Sequence, residues 1–224
     1  MEPLSSRPLV LLLATRNAHK VGEIAAVLGA AARCLSLKEF PAASAVEEDA
    51  DTFAGNAAKK AAVLAGWLAA EPGRAGEVTA VLADDSGLEV DALDGAPGVL
   101  SARFAALDSG ASGNSTDAEN NAKLLRLLAG VPMERRTARF RCALALAPVR
   151  ADAAPFVLGF DGACEGRMEF APRGASGFGY DPLFVPQGFE QTFAELGEDV
   201  KNGISHRARA LARFRVWLDA TPGR

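Results

Sequence analysis

"VTAVLADDSGLEVDAL", residues 78–93, decides how the chain is read. Its first half, Val78 to Ala83, is an apolar run with the character of a buried strand. Two adjacent carboxylates, Asp84 and Asp85, close that run, and Ser86-Gly87 follows as a turn signal. The spacing predicts strand, turn, strand. Asp is a poor strand former, and an unpaired buried charge is costly. The pair is therefore either a solvated strand end or chemistry placed where α/β folds put it, at the ends of strands.

Outward from that stretch, "PLVLLLAT" (8–15) reads as a buried strand and "NAHKVGEIAAVLG" (17–29) as a helix stopped by Gly29. "ARCLSL" (32–37) reads as a second strand, and "EFPAASAVEEDAD" (39–51) as an acidic loop. Thr52 then caps a helix whose inward face carries Phe53, Ala57, Leu64 and Leu68. Lys60 falls on the same face, either snorkelling or partnered, whereas Lys59 points away. Residues 94–115 form a long Gly/Ser-rich loop. Thr116 and Glu119 make a capping box for the next helix. "TARFRCALALAP" and "PFVLGFDGACEGRM" are two long strands joined near 148–154. "EDVKNGISH" is a loop leading into a final helix with Ile204, Ala208, Leu211, Phe214 and Leu218 as its buried stripe. Helices alternate with strands early and strands run together later, which predicts an α/β fold with a mixed β-sheet and flanking helices.

A chain of 224 residues suits one large domain or two closely joined lobes. Hydrophobic residues at 49% and a net charge of −4 fit a globular protein without the basic excess of a nucleic-acid binder. Three scattered cysteines, with no CxxC pair, disfavour a zinc site or a disulfide framework and fit a cytoplasmic location. No apolar run reaches membrane-spanning length.

Three further features carry chemistry. "TRNAHK" lies between a strand and a helix, so Thr15, Asn17 and the helix amides either hold a phosphate, with Lys20 adding charge, or simply cap the helix. "GFGYDP" sets Phe178 between Gly177 and Gly179, as a stacking surface or an ordinary turn; Tyr180 is the only tyrosine. "KNGISHR" gathers Lys201, His206 and Arg207 at a helix start, where the dipole disfavours cations; either an anionic ligand answers them or they form a solvated basic face. Carboxylates for Mg²⁺, cations for phosphates and an aromatic ring for a base together indicate a Mg²⁺-dependent nucleotide hydrolase. Neither GxxxxGK[ST] nor GxSxG occurs.

Six segments together resemble the inosine triphosphate pyrophosphatase family: "ATRNAHKVGE" (14–23), "EEDADTFAGNAAKKA" (47–61), "ADDSGLEVDALDGAPGVLSARFA" (83–105), "GFGYDPLFVP" (177–186), "TFAEL" (192–196) and "KNGISHRARAL" (201–211). The resemblance runs from the first strand to the last helix. It implies an elongated two-lobed α/β structure with a central cleft, a single catalytic domain spanning 1–224, and a homodimer. It also implies hydrolysis of ITP, dITP and XTP to the monophosphate and pyrophosphate. By the same resemblance, Thr15, Arg16, Asn17, Ala18, His19 and Lys20 form a phosphate-binding turn, and Lys60 binds phosphate. Glu48 and Asp85 hold Mg²⁺, with Asp84 a further candidate ligand. Asp85 is the proton acceptor, and Ser86 contacts substrate. Phe178, Gly179, Tyr180, Asp181, Lys201, His206 and Arg207 contact base and phosphates. Arg207, a donor-only group, is expected to pair with the C6 oxo group of the deaminated base. Two positions depart from the family pattern: Arg16 replaces a small residue, and Gly55 replaces a Glu. A modified-pyrimidine pyrophosphatase, a nucleotide sensor and a purely structural module are the rival readings. A sensor would be expected to lack Asp85 or Lys60, and both are present.

Overall fold

A computed structural model describes residues 9–71, 77–108, 110, 113–150 and 156–221. The elements are β1 (Val10–Leu13), α1 (Ala18–Leu28), β2 (Arg33–Ser36), α2 (Phe53–Ala70), β3 (Ala80–Val90), α3 (Asp117–Leu127), β4 (Thr137–Pro148), β5 (Leu158–Met168), β6 (Phe184–Pro186), α4 (Phe193–Ile204) and α5 (His206–Ala220). The strands form one sheet in the order β2-β1-β3-β4-β5-β6. β1 runs parallel to β2 and β3, while β6 is antiparallel to β5, so the sheet is mixed. No helix among the described residues is long and apolar enough to cross a membrane.

The chain divides into two compact units, Met1–Asp85 with Cys142–Gly162 and Arg207–Arg224, and Ser86–Arg141 with Ala163–His206. In the first unit Leu11, Leu13, Ala80, Leu82 and Leu144 pack with Ile24 and Leu28 of α1 and with Leu211, Phe214 and Leu218 of α5. Burying each of those three α5 side chains contributes on the order of 1.5–3 kcal/mol. Val81 and Ala83 are also buried, but strand alternation turns them to the opposite face. α2 lies on that face, because its Asn56 reaches Asp85. The second unit has its own core, in which Leu88 and Val90 pack with Phe104, Leu124, Phe140, Met168, Tyr180 and Phe184.

The caps expected at Thr52 and at the Thr116/Glu119 box open α2 and α3, and Asn17, left open between cap and phosphate ligand, caps α1. Lys60 is 7% exposed on the inward face of α2 with Phe53, Ala57, Leu64 and Leu68.

Three expectations are corrected. The predicted turn at Ser86-Gly87 does not form, and β3 is one eleven-residue strand. β4 lies beside it, so a turn there would strand buried backbone groups without partners. The acids are therefore mid-strand. β1, however, ends at Leu13 opposite Leu82, so Asp84 and Asp85 lie just beyond the carboxyl edge of the parallel β1-β2 pair. The long loop at 94–115 contains 3-10 turns at Gly98–Arg103 and Ala106–Asp108. "EDVKNGISH" is largely helical: a Thr192/Glu195 capping box starts α4, and Gly197 at φ 79° breaks it before a further turn runs to Ile204. Lys201 is thus in the last turn of α4, where a cation suits the helix dipole, and only His206 and Arg207 open α5. The loop expected at 148–154 falls partly outside the described residues.

Candidate active site

Alternation along β3 sends its two acids to opposite faces. Asp84 points to the α1/α5 side. Its carboxylate accepts hydrogen bonds from Lys20 Nζ at 2.6 Å, Arg207 Nε at 2.8 Å and the Cys142 thiol at 3.2 Å. Burial alone would raise the Asp84 pKa, but Arg207 and Lys20 overcome it and hold the carboxyl well below its usual range. Burial beside Asp84 pushes the Cys142 thiol well up, so it acts as a donor and not as a thiolate.

Asp85 points to the α2 side. Its Oδ2 accepts from Asn56 Nδ2 at 3.0 Å, and its Oδ1 lies 3.9 Å from Lys60 Nζ. Lys60 donates to Glu48 Oε1 at 2.5 Å and to the Asp84 carbonyl at 2.8 Å. Partnering, not snorkelling, explains the inward lysine. Burial raises the Asp85 pKa, Lys60 opposes that rise, and Glu48 adds to it. Two carboxylates of hard oxygen donors thus face one ammonium, a donor set that fits Mg²⁺. Asp84 does not share it. Its oxygens are committed to Arg207, Lys20 and Cys142 on the other face, against the metal role expected for it.

The turn before α1 is an Asn cap. Asn17 Oδ1 accepts from the amides of His19 and Lys20 at 2.9 and 3.3 Å, and Thr15 Oγ1 accepts from Asn17 N at 3.1 Å. Ala18 and His19 begin the helix, and Lys20 projects to Asp84. Arg16 Nη2 donates to the Ala43 carbonyl at 2.8 Å, tying this turn to the loop that leads to Glu48. Arg207 departs furthest from expectation. It is 1% exposed; its Nε and Nη2 engage Asp84 at 2.8 and 3.4 Å, and its Nη1 engages Glu23. A guanidinium so placed clamps a carboxylate.

The other candidates lie in the second unit. Ser86 is half-buried on β3. Asp181 accepts from Lys201 Nζ at 2.5 Å and from Phe178 N at 2.9 Å. The Lys201 ammonium also lies 4.4 Å from the Phe178 ring centroid, a cation–π contact. A side chain on Gly177 (φ 79°) would place its Cβ 2.2 Å from Asp181 Oδ2, so glycine is required there. Tyr180 donates to the Ser101 carbonyl at 2.8 Å, and His206 stacks on Phe140 at 4.8 Å. The structure therefore groups Thr15–Lys20, Glu48, Lys60, Asp84, Asp85 and Arg207 in one unit, and Ser86, Phe178–Asp181, Lys201 and His206 in the other.

Several partners went unforeseen. Asn56 precedes Lys60 by four residues, so a polar residue on an inward stripe was its signal. Glu23 and Cys142 carried none. On α3, Asp117 accepts from Gly179 N at 2.7 Å and Asn121 donates to Gly179 O at 2.9 Å, so the two peptide groups flanking Gly179 are each held by a side chain.

Gly55 explains its own departure from the family pattern. A Cβ there would lie 2.9 Å from Ala50 Cβ and 3.0 Å from Thr52 Oγ1. Replacing glycine within a helix ordinarily gains up to about 1 kcal/mol, but overpacking costs roughly 1–3 kcal/mol. Gly55→Glu, the family's usual residue, should therefore lower both melting temperature and turnover here. A more stable, fully active variant would show that the loop accommodates it.

A model of the Ham1 family matches residues 11–217. A dITP/XTP pyrophosphatase of Desulforamulus reducens is 48% identical over 204 residues, covering 91% of this chain and 92% of the relative. The dITP/XTP pyrophosphatase of Geobacter sulfurreducens is also 48% identical, over 93% of this chain and 96% of the relative. Among solved structures, the Ham1 protein of Staphylococcus aureus has a TM-score of 0.75 at 31% identity, covering 94% of this chain and 98% of its own. The chain belongs to the Ham1 family.

Proposed function

We propose that this chain hydrolyses deaminated purine nucleoside triphosphates, ITP, dITP and XTP, to the monophosphate and pyrophosphate. The observation that carries the reading is the arrangement around Asp85: a buried carboxylate with a raised pKa, hydrogen-bonded by Asn56 and facing Lys60 and Glu48. The names of the relatives support the substrate class.

In this reaction a water oxygen bonds to the α-phosphorus, the bond to the bridging oxygen breaks, and pyrophosphate leaves. The water proton passes to Asp85, whose raised pKa improves it as a base. Lys60 offsets charge on the phosphate oxygens, and Lys20 contributes from the neighbouring turn. Glu48 and Asp85 are the residues that would hold Mg²⁺, which supplies positive charge against the triphosphate when bound. Asp84 and Arg207 anchor this apparatus without touching substrate. Phe178 offers a half-buried ring as a stacking surface for a base. The resemblance also supports a homodimer, and three free thiols are consistent with a cytoplasmic location.

Incubation with ITP and Mg²⁺, with pyrophosphate and orthophosphate assayed separately, tests the reading. IMP and pyrophosphate in equal amounts are expected, with ATP much the poorer substrate. IDP plus orthophosphate would refute attack at the α-phosphorus.

A further inference from the structure

Asn56 is a buried polar side chain beside the proposed centre, engaged at both ends. It is 1% exposed, on the first turn of α2. Its Oδ1 accepts from the Ala50 amide at 2.9 Å, and its Nδ2 donates to Asp85 Oδ2 at 3.0 Å. The amide cannot be turned over: flipping it would set donor against donor at Ala50 and acceptor against acceptor at Asp85. Both ends are thus determined by chemistry.

From this geometry we infer that Asn56 is a positioning residue, which fixes Asp85 so that Oδ1, and not Oδ2, is its working oxygen. This rests on the reading of Asp85 as proton acceptor. Oδ2 is held by Asn56 on one side; Oδ1 is the oxygen facing Lys60, which in turn holds Glu48. The same amide fixes the loop that follows Glu48, because Ala50 is two residues beyond it. One side chain therefore sets both the angle of the base and the course of the neighbouring acidic loop. Gly55 permits this close approach, since Ala50 and Thr52 lie against the space a side chain there would fill. Asn56 reaches no further than Asp85 and Ala50 in these contacts, so its effect on turnover passes through Asp85.

Replacement separates that role from simple packing. Asn56→Asp is isosteric; it keeps an acceptor for Ala50 N–H but loses the donor to Asp85 and sets a like charge beside it. Misplacing a reacting group by about 1 Å costs on the order of 100-fold in rate. Asn56→Asp is thus expected to lower kcat for ITP by roughly 10- to 100-fold, with KM within about 3-fold of the wild type. The exchanged pair, Asn56→Asp with Asp85→Asn, restores an amide–carboxylate hydrogen bond with its ends swapped. It should melt near the wild-type temperature and yet be as slow as Asp85→Asn alone.

The measurements are kcat and KM for ITP at saturating Mg²⁺, with melting temperature, for Asn56→Asp, Asn56→Ala, Asp85→Asn, the exchanged pair and Asn56→Ala/Asp85→Asn. Support requires Asn56→Ala to slow the wild type but not the Asp85→Asn background, the non-additivity of two residues acting as a unit. Equal slowing in both backgrounds would overturn the inference, as would wild-type kcat in Asn56→Asp beside an inactive Asp85→Asn. Near-normal turnover by Asp85→Asn itself would overturn the catalytic reading and this one together.

Discussion

Asp85→Asn is expected to abolish turnover of ITP while making the metal-free protein more stable at neutral pH. The kinetic half follows from the loss of a general base, on the order of 10²–10⁴-fold, with a larger loss if metal binding fails as well. The stability half follows from the direction of the pKa shift. Burial, the largest influence, raises the folded-state pKa of Asp85; Lys60 opposes the rise without cancelling it, and Glu48 adds a smaller push upward. A carboxyl with a raised folded-state pKa favours folding fully below its unfolded value of about 3.9 and loses that contribution as pH rises through the folded value. At neutral pH, ionised Asp85 opposes folding. Asparagine carries no charge to desolvate and still offers a carbonyl to Asn56. The gain in melting temperature should shrink as the pH falls toward 4. Thermal scans at neutral and acidic pH, with a pyrophosphate assay, read both halves. Near-normal turnover would remove Asp85 from the mechanism. A marked fall in melting temperature at neutral pH would mean that its contact with Lys60 outweighs its burial.

Such a gain in the inactive variant would identify Asp85 as a charge kept in the fold at a cost, and that tension explains what the sequence could reveal. A carboxylate pair after an apolar run breaks strand propensity, so the site was legible as a local inconsistency. Its placement in a strand was not. Ser86-Gly87 is a good turn signal by composition, yet pairing with β4 overrides it, and pairing partners are distant in sequence. The caps at Asn17, Thr52 and Thr116 were legible because the residues that make them lie within three positions of one another. Lys60 could be seen to lie inward by its period. Its partners Glu48 and the Asp84 carbonyl are 12 and 24 residues away, beyond any local pattern. The helical course of residues 198–204 was hidden by Gly197, which ends one turn and permits another. The partners of Arg207 were hidden for a related reason. Donor chemistry says what a guanidinium can bind; only the fold says that Asp84, 123 residues away, has already bound it.

Arg207→Ala should therefore act on stability and leave base preference unchanged. The guanidinium is buried, with Asp84 and Glu23 as its partners. Removing it leaves two carboxylates short of a counter-charge, with Lys20 the remaining cation on Asp84. Breaking a buried pair in this way costs about 3–5 kcal/mol, which for a chain of this size lowers the melting temperature by roughly 6–20 °C. Asp84 sets the pH dependence. Its folded-state pKa is depressed, so its stabilising contribution is present above the unfolded value of about 3.9 and is lost as pH falls through the folded value. Loss of Arg207 weakens that contribution, so the gap between variant and wild type should narrow as the protein is acidified. A second substitution, Asp84→Asn, made in the Arg207→Ala background should recover part of the loss, because it removes the carboxylate left short of charge. The kinetic control is kcat/KM for ITP and for ATP. Both should fall by a similar factor at a temperature where the variant is folded, since disorder at Asp84 disturbs β3 beside Asp85 whichever base is bound. A collapse of the ITP preference with the melting temperature intact would return Arg207 to the edge of the base.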